Sequence, residues 1–466
     1  MNLLLQAEHL AKLEAHNVAL LTAIATNPSL RYQAAGMWIY LQESEAKLIS
    51  LMSGGQPPDS APGAIDMGPV LYLLHQLPSW VVETLNHFGM PPTAITPAMI
   101  SAWETVLQGP GVVGSDGTLI AEQLWAVFDP GWAYAAFEYL LYHVGIQQKA
   151  GFATTPATIR APAQPSLKIA IVGDWGTGLW HDGSAAQCPS QAVMQHVQAA
   201  NPDVVIHLGD VYYAGTAQGV LGLGSGEEID NLVNVWPQFP LSFTLNSNHE
   251  MYDGANGYFT KALTSPKFSA QNGTSYFAVE FGNWILFGLD SAYFDPSPLY
   301  MAGALNDPNQ IAFIKSFNLT GKQIMVVTHH NGLTTDGQAK TGLWNQVAAA
   351  LGRAPDYWYW GHVHDGIVYS SQAACGSATG ARCCGHSALP FGNAYSLHDA
   401  SGNPIPQVLY YAHTPMSNPD PQQANRVLNG YAIVTLTQTS ITEAFYDQSG
   451  TQAWSSQPAQ QAAGSK

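Results

Sequence analysis

Charge is what this sequence has least of. Asp, Glu, Lys and Arg make up only 10% of its 466 residues, against roughly a quarter in ordinary globular chains. The surface must therefore be built largely from Gly, Ala, Ser, Thr, Asn, Gln and aromatic groups. Positive charge is scarcer still: 15 Lys and Arg stand against 32 Asp and Glu, a formal net charge of −17. Without a basic stripe to hold a phosphate backbone, nucleic acid is not an expected partner. An anionic substrate would have to be attracted by bound cations. Also missing is any apolar run of membrane-spanning length, so no membrane span is expected. The segment Met1 to His9 lacks a basic region followed by an apolar block and a cleavage site, and reads as the start of an amphipathic helix. That leaves a cytoplasmic location, export without a signal peptide, or a signal already removed. Cysteine is rare too. Cys188 stands alone, while Cys375, Cys383 and Cys384 cluster near His386. Their spacing fits none of the usual zinc patterns and reads as a disulfide or free thiols.

What the chain does have is length and apolar content: 466 residues, 46% hydrophobic, suffice for two or three domains and a sizeable core. Residues 1–145 read as an all-α region. Leu3 to Ile24 and Leu30 to Met52 repeat apolar residues at helical spacing. Thr96-Pro97 makes an N-cap with Pro at the first helical position, and Gly109-Pro110 closes that helix. A last helix runs from about Ala133 to Val144, and His75, His87 and His143 are ordinary helical histidines. Residues 146–166, with Pro156, Pro162 and Pro165, predict an extended linker rather than a packed element. From Leu167 short β-rich runs alternate with helical stretches such as Ala192 to Ala200. Gly430 to Thr437 and Ile441 to Asp447 predict a hairpin. The tail beyond Trp454, residues 455–466, is rich in Gln, Ala and Ser and is expected to be disordered.

Several of the β-rich runs end at a residue able to bind a metal. Asp174 follows Ile169 to Val172, Asp210 follows Val204 to Leu208, and Asn248 follows Leu241 to Leu245. His329 follows Ile324 to Val327, and His362 and His364 follow Tyr357 to Trp360. Open α/β sheets gather their ligand sites where strands end, so these residues should converge. Two carboxylates, an amide and three imidazoles are too many for one tetrahedral ion and suit two adjacent hard or borderline ions. A carboxylate has two oxygens and can bridge two ions; glycine beside each one allows a tight turn. His362 and His364, spaced i and i+2, would lie on one side of an extended segment and serve different ions. Taken singly, a Gly-Asp is usually a turn and a His-x-His a surface accident. The weight lies in their order along the chain.

These blocks resemble the calcineurin-like metallophosphoesterases, and more narrowly the purple acid phosphatases. The matching segments are Gly173-Asp-Trp-Gly176, Gly209-Asp-Val-Tyr-Tyr213, Asn248-His-Glu250, Val326-Val-Thr-His329 and Gly361-His-Val-His364. The resemblance covers roughly residues 167 to 450. It implies an α/β fold, a four-layer α-β-β-α sandwich preceded here by the all-α region, with the catalytic domain over residues 167–454. Gly176 stands where most of the superfamily carries a histidine ligand, and Tyr213 where the purple enzymes place a tyrosinate. By that resemblance Asp174, Asp210, Tyr213 and His364 would hold a first ion, Fe(III). Asp210, Asn248, His329 and His362 would hold a second, a divalent Zn, Mn or Fe, with Asp210 bridging. A phenolate is a hard anionic oxygen suited to a trivalent ion. Two departures stand out. Ser247 replaces a glycine, which predicts a shifted or strained turn. Past His329, the run His330-Asn-Gly-Leu-Thr-Thr-Asp lacks the family's further histidine. His330 is an alternative to His329 as ligand, but strand position favours His329.

The implied activity is hydrolysis of phosphate monoesters, with a small phosphorylated substrate. His249 would be the catalytic residue, stabilising the transition state or protonating the leaving oxygen, with Glu250 orienting it. Two rivals remain at this level: a phosphodiesterase on cyclic nucleotides or phospholipid headgroups, and a recognition protein with an idle phosphoesterase core. The Gly-rich stretch Gly215 to Gly226 predicts a mobile rim; it has neither the lysine nor the helix of a P-loop.

Overall fold

The protein is described by a computed structural model. It describes residues 147–179, 188–219, 222, 224–388, 397–416 and 427–456, together with scattered positions between 18 and 142. Those scattered positions are helical; the rest of the expected all-α region and the end of the tail lie outside the described residues. The chain divides into two compact units. One comprises Met1–Lys149, Gln218–Glu227 and Tyr252–Gly254; the other comprises Ala150–Ala217, Glu228–Met251 and Ala255–Lys466. Within the first, the Tyr142 hydroxyl donates to Asp253 Oδ1 at 2.9 Å, and the rings of Tyr139 and Tyr252 meet edge to face at 5.9 Å.

The second unit is built on two mixed sheets. The six-stranded sheet runs β14 (Gln452–Ser455), β13 (Ile441–Asp447), β12 (Gly430–Thr437), β2 (Ser166–Val172), β3 (Val204–His207), β4 (Leu241–Thr244). The eight-stranded sheet runs β1 (Ala157–Arg160), β5 (Phe277–Phe281), β6 (Trp284–Gly288), β7 (Gln323–Thr328), β8 (Tyr357–Trp360), β10 (Gly380–Cys384), β9 (Gly366–Tyr369), β11 (Val408–Tyr411). Alternation along the strands assigns the faces. Ile169, Ile171, Ile206 and Phe243 of the first sheet share one buried cluster with Phe277, Leu286, Met325 and Tyr359 of the second. The rings of Phe243 and Phe277 stack at 4.1 Å across the interface.

Residues one step along the strands face outward to helices. Phe287 meets Phe317 of the segment following α3 (Pro308–Lys315) at 5.1 Å, and Trp358 stacks on Trp344 of α4 (Gly342–Leu351) at 5.2 Å. Helix α1 (Pro189–Ala199) buries Val193, Met194 and Val197 and lies along β12 of the other sheet. The order of layers is thus helix, sheet, sheet, helix, the sandwich the sequence implies.

The expected strands and the β12–β13 hairpin are present, with Gly430 opposite Asp447. One expectation needs correcting. Ala157–Arg160, inside the proline-rich linker, is not a loose strap but an edge strand pairing in parallel with β5. Thr158 and Ile159 are β-branched, and Pro156 and Pro162 flank the paired residues, where a missing N–H costs no ladder bond. What positions the site is the parallel core of each sheet. β2, β3 and β4 run parallel, as do β6, β7 and β8, so their carboxyl ends deliver Asp174, Asp210 and Asn248 from one sheet and His329, His362 and His364 from the other.

Candidate metal centre

The strand ends converge on one buried cluster with two halves. In the first, His364 Nε2 lies 3.1 Å from Asp174 Oδ1 and 3.9 Å from Asp210 Oδ2. The phenol of Tyr212 sits among them, its oxygen 2.9 Å from Asp210 Oδ2, 3.2 Å from Asp174 Oδ1 and 3.2 Å from His364 Nε2. In the second half, His329 Nε2 lies 3.2 Å from Asp210 Oδ1, 2.9 Å from Asn248 Oδ1 and 3.2 Å from His362 Nδ1. His362 Nδ1 is itself 3.1 Å from Asn248 Oδ1. Asp210 therefore turns one oxygen to each half.

Proton placement in the second half follows from its outer contacts. A carbonyl oxygen only accepts, so His329 Nδ1–H donates to Leu208 O at 2.9 Å and His362 Nε2–H donates to Met301 O at 3.1 Å. The nitrogens turned inward then carry lone pairs. They face each other, an amide oxygen and a carboxylate at hydrogen-bond distances with no ring proton between them. Such a group of acceptors could hold a cation.

Electrostatics in the first half agree. Burial and the neighbouring Asp210 raise the Asp174 carboxyl to about 8, against the lowering effect of His364. Asp210 also suffers from burial, but His329 and His249 outweigh it and hold its carboxyl well below the usual range. Burial opposes charge on His364, yet its contacts with Asp174 and Asp210 raise it to about 8. Burial lowers His329 to about 3 and also lowers His249. Without added positive charge the cluster thus keeps only one of its two carboxyl groups, that of Asp210, ionised at neutral pH. Asp174, Asp210 and His329 offer ligand atoms all within 4.8 Å of one another, as do His329, His330 and His362.

Backbone strain concentrates at the same residues. Asp174 (φ 57°), Asp210 (φ 74°) and His362 (φ 65°) all adopt left-handed backbone, a conformation that for non-glycine residues persists only where the surroundings impose it. Ser247, where strain was expected, is not left-handed. Its hydroxyl makes short hydrogen bonds to Asp210 Oδ1 and Glu250 Oε2 and accepts from His249 N–H at 3.0 Å. Glu250 is therefore tied to Ser247, and the expectation that it orients His249 gives way. His249 is oriented by its Nδ1–H, which donates to Tyr213 O at 2.6 Å. Its Nε2 lies 4.0 Å from Asp210 Oδ2 and its ring packs on Tyr212 with centroids 4.6 Å apart.

The tyrosine of the second block departs from the expected one. The phenol among Asp174, Asp210 and His364 is that of Tyr212, while Tyr213 contributes its backbone carbonyl to His249. Adjacent residues on a turn point differently, and motif spacing alone could not separate them. At Gly176 a side chain would run into the backbone of Asp210 and Val211, so no imidazole fits there and the phenol stands in that half instead. His330 has both nitrogens engaged outside the cluster, with Ser291 Oγ at 2.8 Å and Tyr300 O at 2.7 Å. His329 is the one turned inward. Sequence reasoning missed Tyr212 and the carbonyls of Leu208, Tyr300 and Met301; backbone acceptors have no residue signature. All four cysteines are buried and free. Cys383 and Cys384 donate to different carbonyls, Val363 O and Ile171 O.

Residues 167–366 match the family described as calcineurin-like phosphoesterase. No curated protein matches the chain. Among solved structures, the GAP50 anchor of the inner membrane complex of Plasmodium is similar over 63% of this chain and 88% of that one, at 14% identity and a TM-score of 0.40.

Proposed function

We propose that the chain, whose residues 167–366 match the calcineurin-like phosphoesterase family, hydrolyses phosphate monoesters at a dinuclear metal centre in a catalytic domain over residues 167–454. The observation that carries this reading is the set of inward-facing acceptors, His329 Nε2, His362 Nδ1, Asn248 Oδ1 and Asp210 Oδ1, whose lone pairs a shared cation would satisfy together. Asp210, Asn248, His329 and His362 would hold a divalent Zn, Mn or Fe. Asp174, Asp210, His364 and a tyrosine would hold Fe(III), and the phenol position favours Tyr212 over Tyr213 for that place. Bound there, the ions acidify water and neutralise phosphoryl charge.

The chain's own groups do the rest. Asp210 spans the two halves with its two oxygens. The Leu208 and Met301 carbonyls keep the His329 and His362 ring protons out of the cluster. His249, anchored through Nδ1, presents Nε2 on the side of Asp210 Oδ2 and would hold or deliver the proton at the leaving oxygen.

The test combines metal analysis with turnover. Asp210→Ala should lose metal and activity together. His249→Ala should keep both ions and lose on the order of 10²- to 10⁴-fold in kcat; retained turnover removes His249 from the mechanism. A nitrophenyl phosphate monoester should be cleaved faster than the corresponding diester, and the reverse order would make the chain a diesterase. Absence of hydrolysis with both ions loaded would overturn the enzyme reading.

A further inference from the structure

Within the loop between β6 and α3, one carboxylate gathers the segment from 295 to 303. Asp295, 4% exposed, accepts from Ser297 N at 2.9 Å and Ser297 Oγ at 2.8 Å. It also accepts from Ala302 N at 3.1 Å and Gly303 N at 2.7 Å. The chain between these anchors takes left-handed backbone at Leu299 (φ 56°) and Tyr300 (φ 54°). The result is that two consecutive carbonyls point at two histidines: Tyr300 O accepts from His330 Nε2 at 2.7 Å and Met301 O from His362 Nε2 at 3.1 Å. Met301 Sδ also lies 3.5 Å from Asn248 Nδ2, on the amide's donor side, which leaves Asn248 Oδ1 to the cluster. Gly303 (φ 70°) leaves no room for a side chain, since one would meet the His330 ring. That ring is packed 4.9 Å from His329 and 4.7 Å from His362.

We propose that Asp295 is a positioning residue for the second ion. By folding the 295–303 loop it fixes the ring proton of His362 on Nε2, keeps His330 as a spacer rather than a ligand, and so commits His362 Nδ1 and Asn248 Oδ1 to the cation. This rests on the dinuclear reading above. Asp295 is not among the proposed ligands and its hydrogen bonds to Ser297, Ala302 and Gly303 stay within its own loop, so it acts through Met301 and Tyr300. Outer-shell partners of this kind typically change metal affinity 10- to 100-fold.

The experiment reconstitutes metal-depleted protein with zinc and measures both affinities by competition with a chromophoric chelator. Asp295→Ala should weaken one of the two zinc sites by about 10- to 100-fold and leave the other unchanged. Asp295→Asn, which keeps an acceptor toward Ala302 and Gly303, should restore most of the loss. Equal weakening of both sites, or of neither, overturns the proposal. Should Asp295→Ala fail to fold, ¹⁵N shifts of His362 and His330 in the metal-free wild type decide: protonation at Nε2 of both supports it, and protonation at Nδ1 of His362 overturns it. A wild type that binds no zinc at all would instead bring down the dinuclear reading, and this inference with it. Two intact sites in the wild type and in Asp295→Ala would bring down this inference alone.

Discussion

At the scale of single residues, the sharpest question is which of two adjacent tyrosines matters. The block Gly209-Asp-Val-Tyr-Tyr213 offers both, and the family resemblance favours Tyr213. The geometry favours Tyr212, whose buried phenol lies within 3.2 Å of Asp174, Asp210 and His364. Burial, and then Asp210 and Asp174, push the Tyr212 hydroxyl well above its usual range. A phenol in that setting gives up its proton only to a strong cation, as a ferric ion is. The iron-loaded wild type should therefore show a visible tyrosinate-to-iron band. Tyr212→Phe should abolish that band and weaken the first ion, while Tyr213→Phe should keep it, because Tyr213 serves through a carbonyl that Phe retains. A band that survives Tyr212→Phe and disappears in Tyr213→Phe returns the ligand role to Tyr213. The convergence of Asp174, Asp210, Asn248, His329, His362 and His364 was legible in the sequence because each has a side chain whose chemistry names it and stands at a strand end. Met301 and Leu208 were not, because what they contribute is a carbonyl that every residue carries.

At the scale of elements, the strands that deliver the candidate ligands were readable because parallel strands buried on both faces are continuous apolar runs. Val204–His207 and Tyr357–Trp360 are examples. The edge strand Ala157–Arg160 was not, since prolines near both its ends resemble a linker and its pairing partner, Phe277–Phe281, lies more than a hundred residues away. Close packing between elements is also invisible in the sequence, and one such contact is testable. Gly366 opens β9 two residues after His364, and a methyl there would run into the imidazole of His386. Gly366→Ala should destabilise the domain by about 1–3 kcal/mol through overpacking, measured by denaturant titration. Most of that cost should vanish in a His386→Ala background, because the same cavity then accepts the methyl. A cost that is unchanged there would place the strain in the backbone of β9 rather than against His386.

At the scale of the whole molecule, the sheets meet over a shared apolar core and their strand ends meet at the candidate metal cluster, so the fold's stability is linked to what its interior titratable groups carry. His386 is 2% exposed, with its Nδ1 left without a hydrogen-bond partner. Burial lowers it to about 3, whereas an unfolded histidine titrates near 6.5. The sign follows directly. Above about pH 6.5 the ring is neutral in both states and contributes no pH dependence. As pH falls below that value the unfolded chain takes up a proton that the folded chain refuses, so stability is lost progressively until the folded group titrates near 3. One such group gives a slope of about 1.4 kcal/mol per pH unit across that window. His386→Phe keeps a flat ring against Gly366 and Gly430 and removes the titrating nitrogen. Its unfolding free energy between pH 6 and pH 4 should therefore fall less steeply than that of the wild type, by about that slope. Metal-depleted protein is the sample for this measurement, since acid would also release ions held at the proposed site and add their linkage to both curves. Parallel curves for the two proteins would mean that His386 is already protonated in the folded state at pH 6, and that the polar interior around it is wetter than its burial implies.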